Sequence, residues 1–238
     1  LKEASDQLNT GSSAFASGDA IYKGNALKWK KFANSLSLRI ANRVRSKLNE
    51  ADNRIKEILA NPAQYPIFES NDDNSLLAFE TNAPNQAPFY KATTLANRND
   101  YAVSNVFVDF LQGKKAVSPV QDPRLSVYAQ PNSKGNYVGQ YYGMDMFTAS
   151  LVSPDSVSKP GAAFYKSDYK EVLMEYAEVQ FILSEYKNWD QQHYLNGIRA
   201  SMQKWGISNT AVDSYLQSAP PASQETVLTQ KWVALFMQ

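Results

Sequence analysis

The side chains able to do chemistry are few. The chain has one histidine, His193, and no cysteine. One imidazole and no thiolate cannot assemble a zinc site, which needs three or four nitrogen or sulfur ligands. His193 lies among residues of helical pattern, so a structural role is expected for it. No GxSxG segment presents a serine nucleophile, and no glycine-rich loop is available to cradle phosphates. Asp72 and Asp73, in "SNDDNS", are adjacent carboxylates. A glycosidase needs two carboxylates facing each other across a cleft, roughly 5 to 9.5 Å apart. Neighbours in a turn suit capping instead. The DxDxDG pattern of a calcium loop is absent. No catalytic residue, metal site or cofactor is therefore predicted.

Aromatic residues are the remaining candidates. Phe89, Tyr90, Tyr101, Tyr128, Tyr137, Tyr141, Tyr142 and Phe147 crowd one irregular region. Exposed rings offer flat apolar faces that suit the apolar faces of sugars, and nearby Asn, Arg and Asp can hydrogen-bond hydroxyls. The candidate ligand-binding residues are Tyr90, Arg98, Asp100 and Tyr101 around "FYKATTLANRNDY", and Tyr141 and Tyr142 in "GQYYG". Most of the other rings are expected to pin loops to the body of the protein.

The elements that position these residues follow from periodicity. Residues 28–47, "KWKKFANSLSLRIANRVRSK", carry seven Lys or Arg and no acidic residue. At 100° per residue Trp29, Ala33, Leu36, Ile40 and Val44 share one face, while Lys28, Lys31, Ser35, Arg39, Asn42 and Ser46 share the other. Asn25 can cap this helix. Arg43 lies near the edge of the apolar face. The chain's net charge is only +1, so the basic helix does not mark a nucleic-acid binder, whose phosphate contacts demand a positive surplus. A membrane-surface role is also disfavoured, because Ala33 interrupts the bulky anchors. The acidic stripe Glu171, Glu175, Glu178 and Glu185 could lie beside the basic helix.

Residues 1–9 read as the end of a helix, 10–25 as a loop, and 51–60 as a helix stopped by Asn61–Pro62. Prolines punctuate 61–168, where only 104–113 reads as a helix, and "SLLAFET" and "LSVYAQP" as short strands. A loop-rich insertion of this length points to function. Helices return over 168–189, 192–206 and 223–238, with a shorter one at "DSYLQS". Paired antiparallel helices suggest a layout like tetratricopeptide units. No run reaches the roughly 20 apolar residues of a membrane-spanning helix. The first residue is Leu and the last run, "QKWVALFMQ", lacks a helix stop, so a piece of a longer protein is expected.

Five stretches, in order, carry a resemblance: "GDAIYKGNALKWKKFANSLSLRIANRV", "DPRLSVYAQP", "EVLMEYAEVQFILSEY", "YLNGIRASMQKWGI" and "TQKWVALF". Together they resemble the hallmark segments of the SusD/RagB-like family, the surface nutrient-binding lipoproteins of Bacteroidetes. The resemblance implies a mainly α fold of tetratricopeptide-like helix pairs with a long loop-rich insertion and a few short strands. It makes 1–238 a fragment of one such domain, with a helical scaffold at 1–60 and 168–238 and a ligand-side region at 61–167. It implies that Trp29, Phe32 and Leu36 pack inward. It also implies a non-catalytic glycan-binding protein of the outer membrane, exposed at the cell surface and held by a lipid anchor outside this sequence. Such a protein passes an oligosaccharide or polysaccharide to a TonB-dependent transporter of the SusC type. The alternative is a helical-repeat protein that binds peptide or protein ligands in the same kind of uptake complex. Ligand residues vary within the family, so none of the candidate residues comes from the resemblance.

Overall fold

The computed structural model describes residues 1–8, 10, 11 and 16–238. The elements run α1 (Lys2–Gln7), α2 (Ala26–Val44), α3 (Asn49–Ala60), β1 (Ser75–Ala78), α4 (Pro88–Tyr90), α5 (Asn105–Leu111), α6 (Leu125–Tyr128), α7 (Met146–Ser150), β2 (Lys170–Met174), α8 (Tyr176–Tyr186), α9 (Gln191–Lys204), α10 (Asn209–Ser218) and α11 (Gln224–Ala234). The protein is mainly helical, as the sequence predicts. Two compact units divide the chain. The first holds residues 1–78, 171–201 and 222–238, and the second holds 79–170 and 202–221.

In the first unit α2 is the central helix. Asn25 caps it, its side chain accepting from the Lys28 N–H at 3.0 Å. Leu38 and Ala41 of α2 pack with Ile55, Phe68, Met174, Val179, Ile182 and Leu183 in one core cluster, and Phe32 and Leu36 lean against it. The buried face is rotated from the predicted one. Ile40 is 50% exposed, while Ser35 and Asn34, on the expected polar side or near it, are fully buried. Their small side chains make this possible by pairing with backbone: the Ser35 hydroxyl accepts from the Phe68 N–H at 2.9 Å, and the Asn34 amide donates to the Pro66 carbonyl at 3.0 Å. A buried polar group with a partner costs little. Arg43 lies exposed.

The long helix expected over 168–189 is two elements. Residues 170–174 form β2, hydrogen-bonded to β1. Glu175 is extended, and the Tyr176 N–H that opens α8 donates to Asn74 Oδ1 at 2.7 Å. A side chain from a distant turn thus fixes where the helix starts. Only Glu178 and Glu185 of the acidic stripe are on α8. Basic and acidic helices do lie together: the Arg39 guanidinium donates to both carboxylate oxygens of Glu178 and to the Leu173 carbonyl. Asp73 is buried and accepts from Lys31 at 2.9 Å and from the Glu69 N–H at 2.8 Å, so it serves the scaffold, while its neighbour Asp72 is exposed. His193 is structural as well. Its ring nitrogens meet Gln180 Oε1 at 2.8 Å and Lys187 Nζ at 2.9 Å. α11 opens on a capping box at Ser223 and closes at Ala234, although the sequence alone reads as helix to the last residue.

In the second unit an aromatic core holds the loops. Tyr128 packs edge-on against Trp205 with centroids 5.7 Å apart, and the Trp205 indole N–H donates to its hydroxyl at 3.1 Å. Phe164 packs on both rings, 6.5 Å from Tyr128 and 5.5 Å from Trp205. "LSVY", expected as a strand, is the helical turn α6. The preceding Asp122–Arg124 pair sets the turn, with the Arg124 N–H donating to Asp122 Oδ1 at 2.9 Å. The short helices α4 and α7 also fall where loop was expected.

Candidate ligand-binding site

Three backbone segments of the second unit build the site. Residues 103–105 run beside 138–140 in a parallel bridge: the Gln140 N–H donates to Val103 O and the Asn105 N–H to Gln140 O, both at 2.8 Å. Ser158 joins them, accepting from the Val103 N–H at 2.9 Å and donating to Val138 O at 2.6 Å. This approach requires a glycine at 139, because a Cβ there would stand 2.3 Å from the Asn105 Cα. Gly143, at φ +78°, then turns the chain toward α7. Asp145 caps α7, accepting from the Thr148 N–H at 2.9 Å and its hydroxyl at 2.6 Å.

Together these segments enclose a cavity of about 600 Å³, lined by Asn99, Asp100, Tyr101, Ala102, Gln140, Met146, Ala149, Ser150, Val152, Pro154 and Val157. Amides, hydroxyls and one carboxylate share its wall with apolar side chains. Volume and lining suit a small organic ligand. Tyr101 is half-exposed and held edge-on by Phe89, with centroids 4.9 Å apart. The Arg98 guanidinium lies 4.9 Å from the Tyr101 ring centroid. The same guanidinium donates to Asp100 Oδ1 at 3.1 Å and Oδ2 at 2.7 Å. Those hydrogen bonds hold the Asp100 carboxyl below its ordinary range. It is therefore a charged acceptor at neutral pH, with lone pairs left for a hydroxyl.

Of the candidate residues, the structure brings Arg98, Asp100 and Tyr101 together, and two of them line the cavity. Tyr141 and Tyr142 follow the lining residue Gln140 and are 70% and 88% exposed. Tyr90 is half-buried in α4 and does not line the cavity. Sequence reasoning missed Gln140 and the apolar wall from Met146, Val152, Pro154 and Val157. It also passed over Met146 and Leu151, which form an exposed row with Phe147, one of the aromatic residues it did name. A signal existed for that row, because apolar residues in "DMFTASLV" lie within a loop-rich region that has little core to bury them in.

A comparison with curated proteins finds no match. Solved structures share the fold. The chain superposes on a chitin-binding SusD homologue from Flavobacterium johnsoniae with a TM-score of 0.76 at 23% identity, covering 98% of this chain and 54% of that one. For a SusD homologue from Bacteroides fragilis the TM-score is 0.74 at 26% identity, covering 93% and 54%. For one from Bacteroides uniformis it is 0.75 at 23%, covering 96% and 53%. The chain thus spans about half the length of these relatives. The family model for SusD-like proteins, described as starch-binding and associating with the outer membrane, matches residues 1–238, so the chain belongs to the SusD-like family.

Proposed function

We propose that this chain is the part of a non-catalytic surface protein that captures oligosaccharides. The observation that carries the reading is the cavity of about 600 Å³ lined by Tyr101, with the exposed Tyr141 and Tyr142 following its lining residue Gln140 in the chain. Its rings can stack on sugar faces, and Asn99, Asp100 and Gln140 can take the hydroxyls. The family description and the chitin-binding relatives support a starch-like or chitin-like glycan as the ligand class. In the longer protein, the ligand would pass to a TonB-dependent transporter of the SusC type. A lipid anchor would hold the protein at the cell surface.

A second reading is a peptide ligand in the same kind of complex. The exposed apolar row Met146, Phe147 and Leu151 favours it. Affinity electrophoresis of the protein in gels containing soluble glycans separates the two. Retardation by a glycan, reduced in Tyr101→Ala or Tyr141→Ala, supports capture of sugars. No retardation by any glycan, with binding to an extended apolar peptide, supports the second reading.

A further inference from the structure

The first unit contains a cavity of a different character, about 730 Å³ in volume. α2 contributes Arg39, Asn42 and Arg43 to its wall, α8 contributes Glu178 and Glu185, and α11 contributes Lys231. The wall is dominated by charge, and the charges do not cancel in pairs. Glu178 is taken by Arg39. Asp52, also on the wall, is taken by Lys56 from outside the cavity, at 2.7 Å. Among the described residues Arg43, Lys231 and Glu185 form no ion pair.

Two further observations point to a ligand. Asn42, one of the lining residues, is only 8% exposed, and its buried Oδ1 accepts no hydrogen bond. A buried amide oxygen left without a donor costs free energy that a ligand hydroxyl would recover. Lys231 is largely enclosed. Burial lowers its ammonium below the ordinary value, Glu178 and Glu185 act in the other direction, and Arg43 and Arg39 add to the lowering. Arg45 is also on the wall, its guanidinium over the Tyr186 ring, so three cations outside any ion pair face Glu185, and such a shortfall of anions attracts a carboxylate. Glu185 and Asn42 beside them can accept from hydroxyl donors.

We propose that this cavity binds a polyhydroxylated carboxylate, a sugar acid, with its carboxylate on Arg43 and Lys231 and its hydroxyls on Asn42 and Glu185. The site belongs to the first unit alone and does not depend on how the second unit binds its ligand. The test is calorimetric titration of the protein with galacturonate, glucose and citrate in turn. Galacturonate is expected to bind and glucose not to. Arg43→Gln and Lys231→Met are each expected to weaken galacturonate about tenfold, the loss of one charge-assisted contact, with Lys231→Arg retaining binding. Tyr101→Ala is expected to leave galacturonate binding unchanged, which separates this site from the glycan site. Arg43 is exposed, so its substitution leaves folding intact and keeps the test informative even if Lys231→Met unfolds. No galacturonate binding, equal binding of glucose or citrate, or full affinity in Arg43→Gln would each overturn the proposal.

Discussion

The carboxylate of Asp122 and the guanidinium of Arg124 face each other with no solvent exposure on either side chain. The Arg124 guanidinium donates to Asp122 Oδ1 at 3.0 Å and to Oδ2 at 2.6 Å. Next to this pair, the Asp122 N–H donates to Leu111 O at 2.7 Å, tying it to the end of α5. The pair therefore locks α5 and α6, two elements of the unit that carries the candidate site. Removing one partner leaves a buried charge uncompensated. Arg124→Met is expected to destabilise folding by about 3–5 kcal/mol, read by denaturant unfolding. Replacing both residues by apolar ones is expected to recover part of that loss. Equal stability in Arg124→Met and the parent would contradict the role of the pair.

Asp19 anchors the start of α2. Its carboxylate accepts from the N–H groups of Ile21, Tyr22 and Gly24 and from the Trp29 indole at 2.7 Å. Burial raises its carboxyl, but the Gly24, Trp29, Tyr22 and Ile21 donors outweigh this and lower it to about 2 from an ordinary 3.8. A depressed carboxyl stabilises the fold above its unfolded value and loses that contribution as pH falls toward its folded value. Stability is expected to fall between pH 3.8 and about 2, and that step is expected to shrink in Asp19→Asn. Thermal melts across this range measure it.

His193 is expected to titrate below its ordinary value. Burial lowers it, the Lys187 charge adds to this, and Asp190 opposes. Lysine has only donors, so His193 Nε2 accepts from Lys187 and the Nδ1–H donates to Gln180. The folded state thus holds the neutral ring, and the unfolded chain takes up a proton first as pH falls. The contribution is complete above about 6.5 and declines as pH drops through the folded value. Proton NMR of the single histidine is expected to give a midpoint under 6.5, and a midpoint above it would contradict the geometry.

Gly139 permits the close approach that places Gln140, Tyr141 and Tyr142. A Cβ at this position would lie 2.3 Å from Asn105 Cα and 2.6 Å from Ser104 O, both backbone atoms. Gly139→Ala is expected to weaken ligand binding more than Tyr142→Ala does and to lower stability by roughly 1–3 kcal/mol. Calorimetric titration beside a thermal melt tests both, and an unchanged affinity would show that the 138–142 segment is not part of the site.

The helical scaffold was legible where one signal dominated. Asn25 marks a helix start that the structure keeps, and the expected bounds at 206 and 223 lie within two residues of the end of α9 and the start of α11. The buried face of α2 was misjudged because Ser35 and Asn34 go inside on the strength of backbone partners at Phe68 and Pro66. Such distant partners leave no trace in hydropathy. The strand at 170–174 was absorbed into the α8 pattern because five residues cannot distinguish the two periods, and Asn74 decides where the helix begins. In the candidate site, Arg98, Asp100 and Tyr101 are near in sequence and were found together. The apolar wall from α7 and 152–157 depends on pairing of 103–105 with 138–140 and 158. That long-range contact cannot be read from local pattern.

The central claim is that the rings beside the second unit's cavity hold a sugar. Calorimetric titration of the protein with soluble chitin and starch oligosaccharides, with Tyr101→Ala and Tyr141→Ala in parallel, tests it most directly. The account predicts binding of at least one of these glycans and a loss of about three- to tenfold for each ring removed, the usual worth of one stacked aromatic contact. A folded protein that binds such a glycan with the same affinity in wild type and both variants would contradict the account.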